Sequence, residues 1–388
     1  METIQLCRVI GETFPSFDKI SGGLAPNYFN LSKELVNFGV ETNIICSGVR
    51  GQKEFEETNG FRVHRLKPIP GKISELCFHL PFNLAAMEKA NSVQKDIFQF
   101  HNFYCFWMQK QIFEPNVLTV HGCDVEIYKN VPLWPLQMPL KRVKSWWDIK
   151  RTLLLSERMC RNADMVVGVA NAVSDEVKQN FGVNKVKTIY NGIDLDIFKK
   201  TKAGVFENYP DTFNLLFVGR VVPLKGLEYL FEALNGIDNV KLFIAGEVTG
   251  VSKRYFDIIL KKINNKNKVV LLGIISNNDL PKYYSSADCF ILPTLAEGLP
   301  KVVLEAMACG CPVITTDVSG NSEIVTEKTG YLVKPFSSIE LRDAIIYLMN
   351  NTKDAHKRVL CAKEMVNSKF SWKNAAKGYA DLYKDLLI

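Results

Sequence analysis

Short apolar runs alternate along this chain with stretches whose apolar positions follow a helical spacing. That alternation is how a succession of βαβ units reads in sequence, and it demands parallel sheets. In the first half the runs fall at residues 4–10, 42–46, 62–66, 97–100, 117–120, 165–169 and 186–189. A helix is expected over 26–38, with Phe29, Leu31, Leu35 and Phe38 on its apolar side. The composition changes after Asn191, where Lys199-Lys200-Thr201-Lys202 and Asn208-Tyr209-Pro210 read as a linker. The pattern restarts with runs at 213–218, 240–244, 269–272, 289–292 and 312–315, and a helix opens at Gly226 with Leu227, Leu230, Phe231 and Leu234 on one face. Runs 269–272 and 289–292 are apolar throughout, so strands covered on both faces are expected there. The fold class is α/β: two doubly wound Rossmann-like domains, residues 1–195 and 196–370, with ligands at the carboxyl ends of the strands in a central cleft.

A chain of 388 residues suits two domains. With 47% hydrophobic and 23% charged residues, disorder is excluded as the main state. The longest uncharged stretches, 20–32 and 97–109, have thirteen residues each, short of the roughly 18 a spanning helix needs. The start Met1-Glu2-Thr3-Ile4 lacks a basic segment before an apolar core, so a cytoplasmic protein is expected. Ten cysteines are present, but Cys309-Gly-Cys311 is the only close pair and nothing nearby completes a zinc site. Free thiols in a reducing compartment, with no metal and no cofactor, are the expectation.

Charge is uneven. Residues 141–161 hold seven cations against Asp148 and Glu157, +5 of a net +7, which leaves +2 for the rest. The isoelectric point of about 8.7 lies below the value above about 9 usual for nucleic-acid binders, and no nucleic-acid partner is expected. Trp134, Leu136, Met138, Leu140, Val143, Trp146 and Trp147 interleave with the cations. That mixture suits segment 134–161 to an anionic membrane surface, placing the protein peripherally on the inner face; a helix packed with its tryptophans buried is the alternative.

The richest stretch is Pro293-Thr294-Leu295-Ala296-Glu297-Gly298-Leu299-Pro300, between a strand and a helix that runs through Glu305 and stops at Gly310. Pro300 fits the first helical position. The amides of Gly298, Leu299, Lys301 and Val302 are then free to meet phosphate or sugar hydroxyls. Glu305 has almost wholly apolar or small neighbours, which argues against a merely solvated charge. A second strand-loop-helix junction reads Gly219-Arg220-Val221-Val222-Pro223-Leu224-Lys225-Gly226. Leu224 and Gly226 exclude a Walker A loop. Two cations at a helix start oppose the helix dipole unless an anion lies between them, so a bound diphosphate is expected on Arg220 and Lys225. In the first half, Gly22 and Gly23 permit close backbone approach to a ligand. His121-Gly122-Cys123-Asp124 follows a strand, a position that fits a strand-end cap and a ligand contact alike. Asp194-Leu195-Asp196 imitates a metal-binding D-x-D, but at a domain junction a chance match is the reading.

Together these residues resemble the retaining GT-B glycosyltransferases of family four. The resemblance rests on G-R-x4-K-G (Gly219 to Gly226), L-F-I-A-G (Leu242 to Gly246), A-D-C-F-I-L-P, E-G-L-P, L-E-A-M-A-x-G-x-P-V and the E-x7-E pair Glu297 and Glu305. Gly22-Gly23, His121-Gly122-x-Asp124, Asn191-Gly192-Ile193-Asp194 and Phe370-Ser371-Trp372 fit in order. Ala170-Asn171 and Glu247-Val248-Thr249-Gly250 depart from the usual pattern, which weakens inference about donor and acceptor. The resemblance implies a nucleotide-sugar donor, UDP- or GDP-linked, and transfer of a hexose to a glycan or lipid-linked acceptor with retention and without a metal. It implies Arg220 and Lys225 on the diphosphate, Glu305 on the ribose, and Glu297 with the Gly298 and Leu299 amides on the sugar. His121 would reach the sugar, and Gly22-Gly23 the phosphate or acceptor. The final helix, about 371–388, would pack on the first domain. Rival readings are a non-catalytic nucleotide-sugar-binding subunit and a phosphorylase or epimerase of the same fold.

Overall fold

The computed structural model describes residues 3–14, 24–58, 60–67, 79–101, 103, 105–122, 125 and 139–388, with the backbone alone at 12, 13, 139–149 and 251. The chain divides into two compact units. One comprises Met1–Val125, Trp146–Gly192 and Trp372–Ile388, the other Glu126–Ser145 and Ile193–Ser371.

The first unit holds an eight-stranded sheet of β1 (Ile4–Thr13), β2 (Val40–Ser47), β3 (Phe55–Thr58), β4 (Phe61–Leu66), β5 (Ile97–His101), β6 (Asn116–Val120), β7 (Met165–Gly168) and β8 (Val186–Thr188). The order is β3-β4-β2-β1-β5-β6-β7-β8, parallel except for β3 against β4. One layer of its core joins Leu6, Ile97, Val117 and Val167 of the sheet to Leu31 and Leu35 of helix Ala25–Leu35, and to Trp372, Ala376, Tyr379 and Tyr383 of the last helix, Trp372–Leu387. A buried polar network runs through this layer. Arg8 Nε donates to Gln99 Oε1 at 2.8 Å and its Nη1 to Ser32 Oγ at 2.5 Å. Gln99 Nε2 donates to Thr119 Oγ1 at 2.9 Å, and the Tyr383 hydroxyl to Gln99 Oε1 at 2.9 Å. A buried polar group stabilises only when so partnered, and the network fixes one register of strands and helix.

The basic segment forms helix Pro139–Asn162. From residue 150 on, Ser156, Met159 and Cys160 are buried while Lys150, Arg158 and Arg161 are exposed, so this end of the helix packs on its unit. Residues 134–138, Trp134 among them, lie outside the described residues. No helix among the described residues is long and apolar enough to cross a membrane. Eight of the cysteines fall within the described residues; all are free, and only Cys361 is exposed.

The second unit holds β9 (Phe213–Val218), β10 (Val240–Ala245), β11 (Val269–Gly273), β12 (Cys289–Leu292), β13 (Val313–Thr316) and β14 (Tyr331–Val333), ordered β11-β10-β9-β12-β13-β14 and parallel throughout. The chain winds outward from β9 to β11, then returns to the other side of β9 at β12. The loops after β9 and β12 therefore diverge at a topological switch point, where open α/β sheets take their ligands.

Three expectations need correction. β11 is an edge strand, not one covered on both faces, and Leu271 is 46% exposed. Pro300 is the N-cap of helix Lys301–Ala308 rather than its first residue, with an extended ψ of 95°. The segment read as a linker is packed: the Phe206 ring lies 4.2 Å from Phe243, Tyr209 lies 5.1 Å from the same ring, and Thr201 N donates to Ser285 Oγ at 3.0 Å.

Candidate functional site

After β9 the chain passes Gly219, at φ +151°, and the exposed Arg220. One turn of 3-10 helix follows, Pro223–Lys225, and then Gly226, left-handed at φ +64°, caps helix Leu227–Ala233. A Cβ on Gly226 would stand 1.9 Å from the Pro293 carbonyl oxygen, so only glycine lets this loop lie against the one after β12. The two loops are stitched together. Leu224 O accepts from Leu295 N at 2.8 Å and from Thr294 Oγ1 at 3.1 Å. Lys225 Nζ donates to Glu297 Oε1, and each of these side chains is only 16% exposed. The loop after β13 closes on the same place. Thr316 Oγ1 donates to Thr294 O, and a Cβ on Gly320 would lie 1.7 Å from Gly298 O.

Gly298, Leu299 and Pro300 are buried and lead into the helix that carries Glu305. Glu305 is half-buried among Val303, Leu304, Ala306 and Met307, all buried. The Tyr284 hydroxyl donates to its Oε2 at 3.1 Å. Burial pushes the Glu305 carboxyl above the usual carboxylate range, against the pull of the Lys301 cation one turn earlier and of the Tyr284 hydrogen bond. Lys301 is pushed below the usual lysine value by burial, with Glu305 opposing. The two junctions thus gather two lysines, two carboxylates and a helix N-terminus, a set suited to a ligand with both anionic and hydroxyl groups.

In the first unit His121 follows β6 and His101 ends β5. His101 Nδ1 and His121 Nε2 are 2.8 Å apart, one donating to the other, with the rings near-parallel at 22°. The edge of Tyr28 meets His101 at 4.7 Å. Burial, then the neighbouring His121 and Arg8, hold His101 well below the usual histidine value, so it is neutral at pH 7. Gly22, Gly23, Cys123 and Asp124 lie outside the described residues. Asp194 Oδ1 accepts from the amides of Asp196 at 3.0 Å and Ile197 at 3.2 Å, which makes it the cap of a turn.

The family model described as glycosyl transferases group 1 matches residues 198–365, and that described as glycosyltransferase family 4 matches residues 21–197. The chain belongs to the group 1, family-four glycosyltransferases. Among the relatives of this glycosyltransferase is an uncharacterized glycosyltransferase of Methanocaldococcus jannaschii, 28% identical over 94% of this chain and 95% of the relative. A UDP-Gal:alpha-D-GlcNAc-diphosphoundecaprenol alpha-1,3-galactosyltransferase of Escherichia coli is 27% identical over 70% of this chain and 69% of that enzyme. The sucrose-phosphate synthase structure from Thermosynechococcus elongatus superimposes with a TM-score of 0.83 over 98% of this chain and 99% of that one, at 22% identity. The shared fold is GT-B, with two Rossmann-like α/β domains.

In the second unit of the glycosyltransferase, then, the structure gathers Gly219, Arg220, Lys225, Glu297, Gly298 and Leu299 on adjoining loops at one switch point, with Glu305 on the helix that follows. His121 belongs to the first unit. Sequence reasoning passed over Tyr284, which looks like a core aromatic of helix Leu280–Ser286, and over His101 and Gly320. The signal for Gly320 was its place in the short loop between β13 and helix Asn321–Ile324, where it is the N-cap.

Proposed function

We propose that this glycosyltransferase moves a hexose from a UDP- or GDP-sugar to a glycan or lipid-linked acceptor, with retention at the anomeric carbon and without a metal ion. The observation that carries the reading is the meeting of Lys225 and Glu297 at the switch point between β9 and β12. In the donor complex Lys225 and Arg220 hold the diphosphate, and Glu297 with the Gly298 and Leu299 amides takes the sugar hydroxyls. Glu305 accepts from the ribose, and His121 is assigned to the sugar. As the bond from the anomeric carbon to the diphosphate oxygen breaks, negative charge grows on the leaving diphosphate. Fixed cations and helix N-terminal amides stabilise that charge in place. The acceptor oxygen bonds to the anomeric carbon, and its proton passes to the departing phosphate. The E. coli relative's name supports a UDP-sugar and a lipid-linked acceptor. A lipid-borne acceptor also gives the basic, Trp-rich segment 134–161 a purpose at an anionic membrane; vesicle flotation that ignores anionic content and salt would remove that part.

Incubating the enzyme with UDP-, GDP- and ADP-sugars and reading product anomers by proton NMR tests the proposal. Transfer with the donor's configuration, surviving EDTA, is the expected result. Binding without turnover on any glycan or lipid-linked acceptor would leave the non-catalytic subunit, and inversion would refute the mechanism.

A further inference from the structure

Tyr284 is fully buried on helix Leu280–Ser286, the element just before β12, while Glu305 stands on the helix just after it. The tyrosine ring is held by aromatic neighbours: Phe290 of β12 lies 5.5 Å away at 70°, and Phe198 lies 6.4 Å away at 61°. Phenylalanine would fill this space as well. The hydroxyl is therefore explained by its partner, because a buried hydroxyl is costly unless it is hydrogen-bonded. That partner is one oxygen of the Glu305 carboxylate.

A glutamate in the second turn of a helix has three rotatable side-chain bonds, and a bond to a rigid buried ring removes most of that freedom. With Oε2 occupied, the plane of the carboxylate is fixed and Oε1 is the oxygen left for a vicinal diol. We propose that Tyr284 is a positioning residue that sets Glu305 to recognise ribose, and so makes the site prefer ribonucleotide over deoxyribonucleotide donors. This rests on the assignment of Glu305 to the ribose in the proposed function. Tyr284 touches no substrate; it acts through the carboxylate. The bond also favours the ionised carboxylate, which burial opposes, so losing it makes Glu305 take up a proton at higher pH.

The test uses the full-length enzyme, wild type and Tyr284→Phe, titrated calorimetrically with UDP and GDP and with their 2′,3′-dideoxy forms. Tyr284→Phe is expected to weaken the better ribonucleotide about fivefold or more, the loss of one hydrogen bond to a charged group. It should leave the dideoxy affinity unchanged, and its ribonucleotide affinity should decline from a higher pH than in wild type. Equal losses for both sugars, or none, with wild type still preferring ribose, would overturn the role of Tyr284 alone. A wild type indifferent to the diol would overturn the ribose assignment of Glu305 and this proposal with it. Tyr284→Leu, which removes ring and hydroxyl together, separates packing from positioning: a parallel fall in both affinities there, with selectivity kept in Tyr284→Phe, would mean packing only.

Discussion

The Lys225–Glu297 ion pair joins two side chains with different assignments in the donor complex, one on diphosphate and one on sugar. In the free enzyme each neutralises the other with both side chains largely buried, so binding must exchange this pair for two new ones. Glu305 carries a separate consequence. Its folded carboxyl titrates above the ordinary carboxylate range because burial disfavours the anion. In the window above about pH 4.3, where the unfolded side chain has already lost its proton, the native state binds more protons than the unfolded one. Stability then falls as pH rises through the folded value. Glu305→Gln keeps an acceptor for Tyr284 and removes this cost. It should melt higher than wild type at pH 7 by a margin that shrinks toward pH 4, less whatever Lys301 loses with its partner. Thermal melts across that range give the answer, and a margin that grows toward low pH would contradict it. Arg220, Lys225 and Glu297 were legible because each stands at a strand end or helix start, and Glu305 because its neighbours along the helix are apolar or small. Tyr284 and His101 were not. Their spacing is that of core aromatics, and only the fold shows what their polar atoms touch.

At the scale of elements the candidate site depends on three loops lying against one another. Gly226 against Pro293 O and Gly320 against Gly298 O are contacts of backbone with backbone, which no rotamer change relieves. Gly226→Ala and Gly320→Ala are each expected to cost about 2–4 kcal/mol, read as a lowered denaturation midpoint with m unchanged. Values under about 0.5 kcal/mol would mean that the loops do not meet this way. The apolar strands at β9 and β12 match the sequence reading residue for residue. What the sequence concealed was β3, whose Phe55-Glu56-Glu57-Thr58 carries one apolar residue and is tied to β4 by ion pairs from Arg62 and Arg65. It also concealed β14, only three residues long. The edge position of β11 was hidden because an apolar run does not say how many neighbours a strand has.

At the scale of the whole molecule the chain leaves the first unit at Gly192 and re-enters it at Trp372, so that unit is built from separated pieces of sequence. The last helix brings Tyr379 and Tyr383 to the buried network around Arg8 and Gln99. Tyr383→Ala should therefore cost about 3–5 kcal/mol and Tyr383→Phe about 1 kcal/mol, measured by urea denaturation. Equal small losses would mean that the helix is only loosely attached. The residues assigned to the diphosphate, by contrast, all lie in the second unit, and nucleotide binding should depend on them directly. The most direct test is calorimetry of the preferred nucleoside diphosphate against wild type, Arg220→Ala, Lys225→Ala and Glu297→Gln. Each alanine variant should bind about tenfold or more weakly, through loss of one charge-assisted bond. Glu297→Gln, which frees Lys225 from its partner, should bind at least as tightly as wild type while losing transfer. Unchanged affinity in both alanine variants, or a Glu297→Gln that loses the nucleotide, would contradict the account.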